Sequence, residues 1–248
     1  MTIATAAKRS VEELKALAEA GNAELNSFRA TNPDEPEATA DEVIAWVARN
    51  FSVDAAAVAC SMADAVLPAI VAKQLPKVEV LFIDTGYHFI ETHSTRDEVE
   101  RALPVRILDV KPKLAVAQQD AEYGEKLYQR DPNLCCAMRK VEPLTNQLKE
   151  FEVWFTGVRR DEAETRANTP LVTWDEKNGL VKINPLAAWT FDELIDYANE
   201  HKVPTNLLLQ HGYPSIGCEP CTKPVAPGED PRSGRWAGTG KVECGLHL

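Results

Sequence analysis

The sequence predicts an α/β fold, a doubly wound and mainly parallel sheet followed by an irregular C-terminal segment. Three observations carry that reading. Short apolar runs of strand length alternate with helix-period stretches, the pattern of βα units in a parallel sheet. Two of these runs end in polar turns that lead into helices, which is how a ligand site opens at the carboxyl edge of such a sheet. From His211 onward, periodicity gives way to glycine, proline and charge. With 248 residues, 44% of them hydrophobic, the chain has enough apolar surface for a full core.

Residues 10–28 place Val11, Leu14, Leu17, Ala18 and Leu25 at helical spacing, and a loop through Pro33 and Pro36 follows. Thr39 with Glu42 three residues on forms a capping box, opening a helix whose apolar stripe is Val43, Trp46 and Val47. Residues 55–60 read as a buried strand, 61–64 as a turn and 65–73 as a helix. That order presents backbone amides and a helix dipole to an anion. No glycine opens this turn, so an ordinary βα junction is the competing reading.

A second strand over 78–84 ends in Asp84-Thr85-Gly86 ahead of a helix over 91–101. A strand (105–110), two helices (112–121 and 135–149) and a fourth strand (152–158) continue the alternation. Asn178-Gly179 between the apolar runs 171–174 and 180–183 marks a hairpin, and Thr190 with Glu193 caps a helix ending near His201. The chain divides on this reading into an N-terminal helical extension (1–38), a nucleotide-binding α/β domain (39–224) and a mobile tail (225–248).

Lys and Arg total 27 against 38 Asp and Glu, a formal charge of -11, which excludes a broad electrostatic footprint for nucleic acid. An anionic ligand must therefore be met by a local basic cluster. Such a cluster follows the fourth strand, where Arg159, Arg160 and Arg166 fall within eight positions; guanidinium groups offer planar paired donors to phosphate or sulfate oxygens. A solvated charged loop is the alternative. The apolar window 55–72 is interrupted by Asp64 and Pro68, so no membrane span is expected, and with no signal-peptide pattern at the start the expected location is the cytoplasm.

Cysteines carry the remaining chemistry. The adjacent Cys135 and Cys136 and the Cys218-x-x-Cys221 pair point to metal or catalytic use rather than disulfide bridging. One zinc ion holds its sulfurs at about 2.3 Å, which consecutive side chains reach poorly. A [4Fe-4S] cluster binds each thiolate at its own iron, so the spacing favours it. Zinc, and two unrelated pairs of buried or redox cysteines, stand as alternatives. Cys60 ends an apolar strand and is expected to be inert core. Cys244, in Glu243-Cys244-Gly245-Leu246-His247, is expected to be a reactive thiol with an imidazole three residues away. No other free cysteine lies near it in sequence, which implies an external dithiol of the thioredoxin kind.

Five segments, LCCAMRKVEPL, GVRRDEAETR, CEPCTKPV, GEDPRSGRWAG and KVECGLH, together resemble the assimilatory sulfonucleotide reductases, in the iron-sulfur branch that reduces adenosine 5'-phosphosulfate. They occur in family order across roughly residues 40–248. The resemblance implies a sheet of the adenine-nucleotide hydrolase-like type. It implies that Cys135, Cys136, Cys218 and Cys221 ligate the cluster and that Cys244 is the nucleophile. Ser61 with its loop, Thr85 and Gly86 would lie against the nucleotide. Arg166, Arg232 and Arg235 would meet phosphate and sulfate oxygens, while Arg139, Lys140 and His247 match further active-site positions. The implied reaction forms a cysteine S-sulfonate and AMP, and thioredoxin then releases sulfite for sulfate assimilation. In one departure, relatives often show a Ser-Gly-Ala-Glu-Asp type loop where this chain has Ser61-Met62-Ala63-Asp64-Ala65. The alternatives are reduction of the 3'-phosphorylated substrate or a metal-stapled nucleotide-binding sulfurtransferase, with assembly into a homo-oligomer left open.

Overall fold

The centre of the molecule is β1 (Ala56–Ala59), four small residues whose lack of bulk lets layers pack closely on both faces. In this computed structural model, which describes residues 8–241, 243, 245 and 246, β1 lies between β2 (Glu79–Ile83) and β4 (Val153–Phe155). With β3 (Arg106–Val110), β5 (Val172–Asp175) and β6 (Leu180–Ile183) they form a sheet of order β3-β2-β1-β4-β6-β5. Only the β5–β6 pairing is antiparallel.

The period of two along each strand separates two cores. Ala57, Leu81 and Trp154 face one layer with Leu144 and Leu148, whereas Val58, Val80, Phe82 and Phe155 face the other, larger one. The larger layer is covered by α2 (Ala40–Asn50), α3 (Val66–Gln74) and α9 (Phe191–Glu200). Helices α4 (Ile90–Ala102), α5 (Val116–Tyr123), α6 (Leu127–Arg130), α7 (Pro132–Cys136) and α8 (Glu142–Leu148) complete the element order. The capping boxes expected from Thr39/Glu42 and Thr190/Glu193 are both formed.

Helix α1 (Val11–Glu24) packs on β5 and β6, and its Leu14 and Ala18 share the larger core, so residue 38 does not separate two cores. Gly21 is where α1 meets α2: a Cβ there would collide with the Trp46 indole. Gly21→Ala should therefore lower stability by about 1–3 kcal/mol through overpacking, read as a lower denaturant midpoint with an unchanged slope.

One local expectation needs correction. The regular helix over 135–149 is broken by a π turn at Ala137–Val141, where Glu142 N–H reaches the Ala137 carbonyl five residues back. Pro143 explains it, because it has no N–H for the Arg139 carbonyl and its ring would crowd that turn. The expected hairpin forms, β5 and β6 pairing antiparallel around a four-residue loop, Glu176 to Gly179, with Gly179 at φ 71°. The segment after His211, which among its described residues holds the short 3-10 turn Glu219–Cys221, folds back on itself through Val225 N–Gly212 O (2.8 Å), Lys223 N–Gly234 O (2.9 Å) and Trp236 N–Cys221 O (2.9 Å).

Candidate active site

From β1 the chain steps outward through β2 to β3 and then returns to β4 on β1's other side. This reversal leaves a crevice at the strand ends, the place where such sheets bind ligands. A cavity of about 220 Å³ lies there, lined by Ser61, Thr85, Gly157 and Arg159 from the ends of β1, β2 and β4.

The loop after β1 resolves the missing-glycine problem. Met62 adopts φ 59°, the left-handed region a glycine enters freely, and its fully buried side chain and the Asn206 Nδ2 bond to its carbonyl (3.1 Å) hold it there. Asp64 Oδ1 accepts from Val66 N at 3.0 Å and starts α3; burial raises its carboxyl. Cys60 packs partly buried against the larger core, in line with the inert residue expected. It lines the cavity with Sγ 3.3 Å from the Asp64 carbonyl, and burial pushes its thiol up to about 12, which keeps it protonated and poorly nucleophilic.

Five cations line the cavity: Lys140, Arg159, Arg166, Arg232 and Arg235. Arg166 pairs with Glu162 and, through Nε and Nη2, with both oxygens of Glu243 at 2.8 and 2.9 Å; Arg232 Nη2 adds a third bond to Glu243 at 3.1 Å. Arg235 donates to Ser215 Oγ (3.1 Å) and the Ile216 carbonyl (3.2 Å), and its guanidinium packs where a Gly217 side chain would stand. Arg159 is held by Asp161 at 3.1 Å.

Three sequence candidates lie off this cavity. Arg160 instead makes a two-point pair with Glu37, both bonds 2.7 Å, and stacks over Phe28. Arg160→Gln should cost about 1–3 kcal/mol by taking the cationic partner from the half-buried Glu37, which keeps its Phe28 N–H bond, while nucleotide affinity stays unchanged, seen by melting alongside a binding titration. Gly86 (φ 73°) forms the tight turn that lets Arg139 reach the Thr85 carbonyl. Arg139 is buried against Gln119 and Tyr87 beside the cysteines. Cys244 and His247 lie outside the described residues.

Behind Lys140 and Trp236, which border both spaces, Cys135, Cys136, Cys218 and Cys221 line a second small cavity. Burial pushes the Cys135 thiol up to about 12, and Cys136, Cys218 and Cys221 add to it; Cys221 reaches about 11 through burial and then Cys218. Four neighbouring sulfurs, with Arg139 opposing the rise at Cys135 and Lys140 and Arg235 opposing it at Cys221, make an electron-rich nest suited to cationic metal. Among the described residues, no group of three or more His, Cys, Asp or Glu side chains is arranged to hold one metal ion. The donor set fits a group that takes one thiolate per metal atom better than a single zinc. Thr85 Oγ1 lies 3.3 Å from Cys218 Sγ, tying the nucleotide edge of β2 to this nest.

Sequence reasoning missed His88 and Glu243. His88 lines the cavity with its Nε2 2.8 Å from the Ile83 carbonyl and its Nδ1 buried without a partner among the described residues; burial lowers it to about 4. Neither residue stands in a periodic pattern that could have singled it out.

Sheet order, switch-point cavity and basic lining together define an α/β protein with an anion-accepting crevice at the carboxyl ends of its parallel strands. The model of the phosphoadenosine phosphosulfate reductase domain matches residues 55–224, and the chain belongs to that family. Relatives named adenosine 5'-phosphosulfate reductase are 52% identical in Streptomyces coelicolor (97% of each chain), 51% in Mycolicibacterium smegmatis (95% of each) and 46% in Mycobacterium tuberculosis (95% of each). Among solved structures, a phosphoadenylyl-sulfate reductase from Candida auris in a phosphate complex superposes with TM-score 0.65 at 24% identity, covering 88% of this chain and all of that one. FMN adenylyltransferase of Candida glabrata shares the fold at TM-score 0.53 and 13% identity over 90% of this chain and 70% of that one.

Proposed function

We propose that this protein reduces adenosine 5'-phosphosulfate to sulfite and AMP in sulfate assimilation. The observation that carries the reading is the gathering of five cations at the switch-point cavity, directly in front of a four-thiol nest, in a chain half identical to relatives of that name. The adenosine would lie along the ends of β1, β2 and β4, against Ser61 and Thr85. Lys140, Arg166, Arg232 and Arg235 would hold the phosphate and sulfate oxygens, with Arg159 behind them.

The Cys244 thiolate attacks the sulfate sulfur; an S–S bond forms, the bridging S–O bond breaks, and its electron pair leaves on the phosphate of AMP. The arginines stabilise that growing charge, and His247 assists the thiol. One thiolate of reduced thioredoxin then attacks Cys244 Sγ, sulfite departs with the electron pair of the S–S bond, and the second thiol closes the thioredoxin disulfide, restoring Cys244. Cys135, Cys136, Cys218 and Cys221 would hold a [4Fe-4S] cluster, which supplies fixed charge beside the sulfate. Lys140, bordering both cavities, is the residue suited to carry that influence.

Among the described residues no helix is long and apolar enough to cross a membrane, and a cytoplasmic place suits a thioredoxin-dependent reaction. The test is sulfite release from adenosine 5'-phosphosulfate with reduced thioredoxin, run beside the 3'-phosphorylated nucleotide. Preferred use of the latter would transfer the assignment to the sister activity, and no sulfite from either would end it.

A further inference from the structure

Glu243 precedes the proposed nucleophile, and no role has fallen to it. Its carboxylate is buried, is gripped at two points by Arg166, and is bonded a third time by Arg232. Burial alone would raise this carboxyl, but the bonds and charge of Arg166, then Arg232, more than offset that and hold it below the usual range. Two guanidinium groups around one planar oxyanion is the geometry that recognises phosphate or sulfate. Here the oxyanion belongs to the protein.

Charge counting sharpens the point. Arg166 and Arg232 contribute two positive charges, and Glu162 and Glu243, both bonded to Arg166, contribute two negative ones. This corner of the cavity is balanced as it stands. A dianionic ligand that uses Arg166 and Arg232 takes those donors from a carboxylate. Glu162 is fixed in the loop after β4, close to Arg159, so the exchangeable one is Glu243 on the tail. Two further contacts of the tail involve no anion site: Lys177 Nζ donates to the Gly245 carbonyl (2.7 Å), and Leu246 packs beside the smaller core.

We propose that Glu243 is a built-in surrogate for the ligand's anionic group. The tail and the nucleotide's phosphate or sulfate compete for Arg166 and Arg232, so nucleotide entry frees Glu243 and repositions the segment that carries Cys244, while Lys177 and Leu246 keep it tethered. The inference rests on the proposed function only for the nature of the anion.

Trypsin cleavage after Lys241, followed by mass spectrometry of the intact full-length protein, reads the release directly. AMP should accelerate this cut and adenosine, lacking the phosphate, should not. Glu243→Gln should be cut quickly without nucleotide and bind AMP about tenfold tighter by calorimetry, as expected when one competing ion pair is removed. Glu162→Gln controls for charge alone, with tighter AMP but an unchanged cut. AMP that slows the cut, or a Glu243→Gln protein with unaltered or weaker AMP affinity, overturns the proposal and leaves the reductase reading intact. If wild type binds no AMP, the nucleotide reading fails instead. Inorganic sulfate must then still speed the cut over chloride at equal ionic strength, or the surrogate falls too.

Discussion

Cys244→Ser is expected to reduce sulfite formation to the uncatalysed background while leaving AMP affinity within about a factor of two of wild type. The split follows from the division of labour proposed for the cavity. The cations Lys140, Arg166, Arg232 and Arg235 and the strand-end residues Ser61 and Thr85, which line the cavity, would account for nucleotide binding under that proposal, and the substitution replaces none of them. A serine hydroxyl at neutral pH offers almost no alkoxide and a poorer nucleophile than a thiolate, so only the bond-forming step is lost. Cys60 is no substitute, since its thiol is buried, protonated and bonded towards the Asp64 carbonyl. Mass spectrometry after mixing wild type with substrate alone should show a sulfonate on Cys244 and none on the serine variant. Sulfite from Cys244→Ser at more than a few per cent of the wild-type rate would remove the nucleophile assignment.

Much of the frame could be read from the sequence because it rests on local rules. The capping boxes at Thr39 and Thr190, the alternation that sends Trp154 and Leu81 to one layer and Phe155 and Phe82 to the other, and the turn after β2 all obey short-range patterns. What escaped was set at long range or by backbone sign. Met62 takes the conformation expected of glycine because burial and Asn206 hold it, and nothing in residues 61–65 encodes that. Arg160 and Arg166 look alike in GVRRDEAETR, yet one turns to Glu37, 123 positions away, and the other to Glu243, 77 positions away. The π turn was legible in principle, since Pro143 must disturb the helix one turn earlier, but its consequence was not. Arg139 and Lys140 are both buried, one beside the thiols and the other between the two cavities.

Cys218→Ala is expected to lose the metal-dependent absorbance near about 400 nm and most of an iron content of about four per chain, with sulfite formation near background. The reason is structural as much as chemical. The segment around Cys218 is tied to the body by Glu219 N–Tyr87 O (2.7 Å), the Thr85–Cys218 contact and the His88–Cys218 bridge, while the Arg235 bonds to Ser215 and Ile216 hold the segment to itself. Shared ligation by Cys135, Cys136 and the Cys218 loop would clamp it, and the thiols, of which Cys135 and Cys221 are pushed up by burial and their neighbours, would release their protons to solvent as metal binds. Removing one ligand therefore loosens the segment that presents Arg232 and Arg235 to the cavity. Hydrogen exchange over residues 211–236 should rise well above wild type in Cys218→Ala, and AMP affinity should fall with it. Thr85→Val, which spares every thiol, should leave the iron in place and change exchange far less. Full iron content in Cys218→Ala, or iron loss without faster exchange, would separate the metal from the architecture and break the link between the thiol nest and the anion site.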